Sequence, residues 1–201
     1  MSRRAVVFRL ASALGTMTVE PLDVDAHAPL LLPWVTHPRS AFWGMRDATH
    51  ETVRAAYAGI AADPHHQAWL GRLDAAPLFL VESYDPAHSE LAAHYRPAPG
   101  DVGMHVLVAP PRTPRHGLTS EVMRTVMAFL FDDERCRRVV VEPDVRNLRI
   151  AAKNAEAGFA VQRRIELAGK TAALAFCTRA QFAASPLARR HDDRREGRGA
   201  P

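Results

Sequence analysis

Asp101 to Ser120, DVGMHVLVAPPRTPRHGLTS, reads as a strand, a basic turn and the start of a helix, and the rest of the chain can be arranged about it. From Val102 to Val108 every second residue (Val102, Met104, Val106, Val108) is apolar. The interleaved Gly103, His105 and Leu107 are mostly apolar too, which predicts a strand covered on both faces with His105 inside. Pro110, Pro111 and Pro114 stop the strand, because proline offers no N–H to a ladder. Arg112, Arg115, His116 and Gly117 then lead into a helix. Its Leu118, Val122, Val126 and Phe129, with Met123, Met127 and Leu130 beside them, keep helical spacing. The first N–H groups of a helix have no intrahelical partner and carry partial positive charge, so arginines ahead of such an end suit an anion, a phosphate above all.

Arg138 to Phe159, RVVVEPDVRNLRIAAKNAEAGF, repeats the order of strand, turn and helix. Val139 to Val141 form the strand, Pro143 ends it, Asp144 lies in the turn, and Asn147 opens a short helix. Gly158 closes that helix in a left-handed conformation before Phe159 starts another strand. His105 and Asp144 both fall toward the C-terminal ends of neighbouring parallel strands, where ligands bind in open α/β sheets.

These residues carry a resemblance. The strand, the Arg112-x-x-Arg115-x-Gly117 loop and the segment from Asn147 to Gly158-Phe159 resemble the acetyl-CoA-binding core of the GNAT N-acyltransferases. That family's phosphate loop runs Gln or Arg, two residues, Gly, one residue, then Gly or Ala. Arg112 and Gly117 match it, and Arg115 stands where the first glycine belongs. The strings GMHVLVAP and VVVEPDVRN, with THPRSAFWGM (Thr36 to Met45), ADPHHQAWLG (Ala62 to Gly71) and VESYDPAHSEL (Val81 to Leu91), are similar to the siderophore-pathway acyltransferases that make hydroxamates. The likeness runs from about Thr18 to Phe182. It extends to the desferrioxamine-type enzymes acting on N-hydroxycadaverine and, more distantly, to the N-hydroxylysine acyltransferases of aerobactin and mycobactin pathways.

The resemblance implies an α+β (α/β) GNAT fold, with a mixed central sheet of six to seven strands and helices on both faces. It implies acetyl-CoA or succinyl-CoA as cosubstrate, with His105 and Asp144 as the catalytic pair. Val106, Leu107, Val108, Arg112, Arg115, His116, Gly117, Leu118, Thr119 and Asn147 would meet the cofactor, and Trp43, Glu82 and Tyr84 the acceptor. In such enzymes the His105 strand parts from the Val139 to Val141 strand, pantetheine lies between them, and the thioester carbonyl reaches a main-chain amide close to Val106.

Each of these residues also has a plain structural use. A histidine on an apolar strand is often a hydrogen-bonded core residue. Asp144 could shape its turn and Asn147 cap its helix. Arg112 and Arg115 could be solvated loop residues, and Trp34, Phe42, Trp43 and Tyr84 core or lid aromatics. His65-His66 lacks further spaced ligands and does not have the look of a metal site.

The 201 residues, 47% of them hydrophobic, suffice for one domain with a core, and no apolar run approaches the roughly 20 residues of a membrane helix. We expect a cytoplasmic monomer or homodimer that binds acyl-CoA and a small N-hydroxylated diamine or amino acid, with no metal, nucleic acid or membrane partner. Cys136 and Cys177 lack metal-ligand spacing and read as buried thiols. Residues 1–15 read as an N-terminal extension, 16–183 as the acyltransferase domain and 184–201 as a disordered tail. The tail carries five arginines and accounts for part of the formal charge of +4.

Between these landmarks the pattern predicts a strand over Met17 to Leu22, a helix over Asp25 to Val35 broken by Pro29 and Pro33, and a helix over Ala48 to Ala62. Antiparallel strands follow over Gln67 to Arg72 and Pro77 to Tyr84, and a closing hairpin over Phe159 to Leu167 and Thr171 to Cys177. Three functions fit: a hydroxamate-forming acyltransferase, a GNAT enzyme for a plain amine or a protein N-terminus, and a non-catalytic acyl-CoA-binding module.

Overall fold

The computed structural model describes residues 6–110, 113 and 115–189. The chain divides into two compact units. The first comprises the chain up to Tyr84 with His105–His116, the second Asp85–Met104 with the chain from Gly117 onward.

In the first unit β1 (Phe8–Ser12), β2 (Gly15–Pro21), β3 (His66–Leu73) and β4 (Ala76–Tyr84) form an antiparallel run in chain order. The sequence pattern predicts a first strand from Met17 and an extension over residues 1–15. Instead FRLAS pairs with β2, Leu10 opposite Met17, and its alternate half-buried residues give it one covered face. The strand was passed over because only Phe8 and Leu10 mark that alternation. Next to β4 lies β5 (Asp101–Val108); its residues from His105 belong to this unit, and Ala109 N–H donates to the Leu78 carbonyl at 2.8 Å just past its end. Gly71 on β3 faces Phe79 on β4, and a Cβ at Gly71 would collide with the Phe79 ring.

Two helices complete this unit. α1 (Val24–Val35) is capped by Asp23, whose carboxylate accepts from Ala26 N–H. It runs through Pro29 and Pro33 without ending, since Ala28, Leu31, Trp34 and Val35 are buried and tertiary packing outweighs the two missing donors. α2 (His50–Ala62) starts at Thr49 in a reciprocal capping box with Thr52, an arrangement that contributes about 1 kcal/mol, and turns Val53 and Tyr57 inward. Leu22, Leu31, Trp34, Val35, Val53, Tyr57, Leu70, Leu80 and Leu107 share one core.

In the second unit the first residues of β5 pair in parallel with β6 (Arg138–Val141), Asp101 opposite Arg138 and Gly103 opposite Val140. β6 pairs antiparallel with β8 (Lys170–Thr178), and β8 with β7 (Ala160–Leu167). Asp101 anchors β5: its buried carboxylate accepts from Arg138 Nη2 and Nε at 2.7 and 2.8 Å, from Tyr95 O–H at 3.1 Å and from Ala98 N–H at 3.0 Å. Arg138 also stacks 4.1 Å from the Phe176 ring centroid. The helices are α3 (Leu118–Asp132), α4 (Leu148–Glu156) and α5 (Arg179–Ala183). As expected, Gly158 leaves α4 with φ +91°.

Among the described residues the strands number eight where six to seven were expected. β1 precedes residue 16, the expected start of the acyltransferase domain. Ser185 and Leu187, in the expected tail, are buried; Ser185 Oγ accepts from Ala188 N–H at 3.2 Å and its carbonyl from Arg189 N–H. Residues 190–201, the rest of that tail, lie outside the described residues. Among the described residues no helix is long and apolar enough to cross a membrane.

Candidate active site

Four side chains named from the sequence meet in the first unit. Glu82 projects from β4, Tyr84 stands two residues on and so on the same face, His105 lies on β5, and Trp43 ends a short 3₁₀ turn (Pro38–Trp43). His105 Nδ1 is 3.0 Å from Glu82 Oε2. The imidazole is 5.1 Å from the Tyr84 ring and 6.3 Å, edge to face, from Trp43. The expectation that His105 is interior holds in part: its side chain is 38% exposed and that of Glu82 10%, so the histidine presents a surface while its carboxylate does not.

Sequence reasoning missed two members of this group. Tyr57 O–H donates to Glu82 Oε1 at 3.1 Å, and Trp43 Nε1–H donates to the Tyr57 oxygen at 3.3 Å. Burial, and after it the Glu82 charge, push the Tyr57 hydroxyl well above its ordinary range, so it remains a donor. His66 Nε2 lies 3.8 Å from Glu82 Oε2, beyond hydrogen-bond reach, and burial lowers the His66 pKa against the pull of Glu82. Tyr57 kept helical spacing with Val53 and Ile60, a core pattern that says nothing of its hydroxyl. His66 was set aside as half of a dipeptide without metal spacing.

The second unit holds the rest. Asp144, in the loop after β6, is 7% exposed and accepts three bonds from one residue: Arg146 N–H at 2.8 Å, Nε at 3.0 Å and Nη2 at 2.6 Å. The guanidinium first, and then the backbone N–H, hold its carboxyl at about 2. Asn147 caps α4 by accepting from Ile150 N–H at 3.3 Å. Gly117, at φ +80°, precedes α3 as a cap without a side-chain bond. The space about its Cα is open, so glycine is needed there for the dihedral and not for room. The first intrahelical bond runs from Glu121 N–H to the Gly117 carbonyl, which leaves the N–H groups of Leu118, Thr119 and Ser120 without intrahelical acceptors. Leu118 is buried and Thr119 exposed.

Of the other expected cofactor contacts, Arg115 and His116 are exposed, Val106 and Val108 are half-buried, and the Leu107 side chain is committed to the core. Leu107 can therefore offer only its main chain. Arg112 lies outside the described residues. The parallel ladder between β5 and β6 ends at Gly103 and Val140, two residues before His105.

Known proteins resemble this chain at the level of family and fold. The profile described as Acetyltransferase (GNAT) domain matches residues 23–167. The chain is 27% identical over 131 residues to the lysine N-acyltransferase MbtK of Mycobacterium sp. (strain MCS), covering 64% of this chain and 53% of that protein. It is 28% identical over 174 residues to the N(5)-hydroxyornithine:cis-anhydromevalonyl coenzyme A-N(5)-transacylase SIDF of Beauveria bassiana (strain ARSEF 2860), covering 86% of this chain and 38% of that protein. It thus spans about half, or less, of the length of these relatives. Among solved structures it superposes on an uncharacterized protein of Bacillus halodurans with a TM-score of 0.81 at 21% identity, over 87% of this chain and 91% of that one. It also superposes on AAC(6')-Ib in complex with ribostamycin and coenzyme A, with a TM-score of 0.74 at 21% identity, over 84% and 96%. At such identities the superpositions speak for the fold alone.

Proposed function

The chain belongs to the acetyltransferase (GNAT) family, and from that premise we propose that it transfers an acetyl or succinyl group from acyl-CoA to the hydroxylamine nitrogen of a small N-hydroxylated diamine, N-hydroxycadaverine in the first instance, giving a hydroxamate. The observation that carries the reading is the hydrogen bond between His105 Nδ1 and Glu82 at 3.0 Å. It holds a half-exposed imidazole between Trp43 and Tyr84, where the ring can read a hydroxyl. The two relatives act, by their names, on lysine and on N(5)-hydroxyornithine, which supports an amine-type acceptor bearing or replacing an N-hydroxyl.

Coenzyme A phosphates would lie at the amino end of α3, on the N–H groups of Leu118 and Thr119, with Arg112 and Arg115 preceding them in the chain and Asn147 opening α4. The acceptor nitrogen attacks the thioester carbonyl carbon, the C–N bond forms, the C–S bond breaks, and coenzyme A leaves as the thiol once the nitrogen has given up its proton. Main-chain N–H groups of β5 about Val106 would stabilise the oxyanion of the tetrahedral adduct.

In this reading Asp144 accepts the proton and His105 orients the hydroxyl. A hydroxylamine nitrogen is less basic than an alkyl amine and is neutral at physiological pH. In the tetrahedral adduct the nitrogen carries a positive charge and gives up its proton far more readily than in the free acceptor, so a carboxylate, though made a poorer base by Arg146, can take it. A second reading, favoured by the Glu82 contact, gives the proton to His105 itself.

The test is purified protein with acetyl-CoA and succinyl-CoA against N-hydroxylated and plain diamines and amino acids, measuring free thiol and hydroxamate. N-Hydroxycadaverine should be acylated with a kcat/KM at least about 10²-fold above that for cadaverine, because a site built for a hydroxyl rejects analogues lacking it. Equal efficiency on the plain diamine would sink the hydroxamate assignment and leave the amine acetyltransferase.

A further inference from the structure

We propose that Glu82 is a positioning residue which, steered by Tyr57 and Trp43, fixes the tautomer of His105 with the proton on Nδ1 and the acceptor lone pair on Nε2. The inference rests on the proposed role of His105 toward the acceptor and serves both assignments of the base, since a bare Nε2 can accept the O–H of the N-hydroxyl in one and take the proton in the other.

The direction of every link follows from one end of the chain. An indole N–H can only donate, so the Tyr57 oxygen accepts at its Trp43 side, 3.3 Å away. The Tyr57 proton is then directed at Glu82 Oε1, 3.1 Å away. A carboxylate only accepts, so the imidazole nitrogen 3.0 Å from Oε2 must be the donor, which puts the proton on Nδ1. In a neutral imidazole the other nitrogen is then the acceptor. Glu82 is 8% exposed and both its oxygens are engaged by protein donors, so it acts on the acceptor through His105 and not by direct contact. His66, the other imidazole near Glu82, has its Nε2 3.8 Å from Glu82 Oε2, beyond hydrogen-bond reach, and so makes no competing bond to the carboxylate.

Glu82→Gln tests this with an opposite-sign outcome. The amide has one acceptor and one donor end. Tyr57 O–H claims the oxygen, the NH₂ group then faces His105 Nδ1, and the ring is forced into the Nε2–H tautomer. Adding Tyr57→Phe removes that claim, lets the amide turn, and allows Nδ1–H again. Long-range ¹H–¹⁵N correlation spectra of the full chain labelled with ¹⁵N-histidine read the tautomer directly, with the His105 signals identified by their loss in His105→Gln.

We expect Nδ1–H in the wild type, Nε2–H in Glu82→Gln, and at least partial return to Nδ1–H in the double variant. In kinetics, Glu82→Gln should lower kcat by roughly 10² to 10⁴, as a wrong tautomer does in the catalytic triad of serine proteases, with KM for acyl-CoA unchanged and part of kcat restored in the double variant. An Nε2–H wild type, an unchanged tautomer in Glu82→Gln, or a loss confined to KM for acyl-CoA overturns the proposal. A wild type without turnover on any acceptor, but with the expected tautomers, keeps Glu82 in its role and removes the acyltransferase reading alone. If Glu82→Gln does not fold, Glu82→Leu, which offers Nδ1 no acceptor, decides: a loss of the pure Nδ1–H tautomer is expected, and a His105 still wholly Nδ1–H would overturn the proposal.

Discussion

Glu82 and Asp144 are both buried carboxylates in the segments that carry the proposed chemistry, yet their partners differ in kind. Asp144 is held by the guanidinium and backbone N–H of a residue two places on, a local arrangement that fixes a negative charge and closes a turn. Glu82 is held by two groups distant in sequence, a phenol and an imidazole, neither of which carries a permanent charge. An arginine partner makes a carboxylate a poorer base, and holds Asp144 at about 2. A histidine partner carries a proton whose place on the ring the carboxylate can set. The same functional group is thus a turn-builder in one setting and a director of tautomers in the other.

Asp144→Asn puts the greatest strain on that contrast. If Asp144 takes the proton despite Arg146, turnover should fall by roughly 10² to 10⁴ with coenzyme A affinity unchanged in calorimetry, while the turn survives on the amide oxygen. If it only builds the turn, turnover stays within tenfold and the base is His105.

A smaller effect comes from Glu82→Leu. Tyr57 O–H and His105 Nδ1–H would lose their acceptor, and denaturant unfolding should show a loss of about 2 to 4 kcal/mol. No loss would mean that the two donors find other partners and that the contrast is one of geometry only.

The smallest effects are slopes with pH, of the same sign but in separate windows. The folded pKa of His66 is lowered from 6.5, so below that value the unfolded chain binds more protons and stability falls as the pH drops; His66→Gln should flatten this part of the curve. The folded pKa of Asp144 is about 2 against an ordinary 3.8, so its contribution is present above about pH 4 and is lost toward pH 2, where Asp144→Asn should flatten the curve. Melting temperatures across both windows would show whether acid acts on the two regions independently.

What could be read from the sequence follows from how local each signal is. β5, the proline stop and α3 were legible because a two-faced apolar strand, three prolines and a helical stripe lie within thirty residues of one another. The α4 start at Asn147 and its end at Gly158 were legible for the same reason. Trp43, Glu82, Tyr84 and His105 were named through family likeness, and the structure gathers them into one cluster. The bond from Glu82 to His105 spans 23 positions, and the one from Tyr57 to Glu82 spans 25. Neither has a periodicity to betray it, because side-chain pairing between adjacent strands, or between helix and strand, is fixed only by register. β1 was missed because its five residues offer only Phe8 and Leu10 as an alternating pair, and the buried Leu187 because a single anchor among arginines is drowned by composition.

Gly71 and Phe79 have a consequence for how the chain can vary. The Phe79 ring occupies the space that any side chain at Gly71 would need, and Phe79 is itself wholly buried. A larger residue at Gly71 would drive the ring out of the core, while a smaller one at Phe79 would open a cavity beside a bare backbone. Neither position is free to drift alone. Sequences that keep this pair of strands should therefore hold Gly71 and Phe79 as a single inherited character, exchanged together for an alanine facing a smaller side chain or not at all.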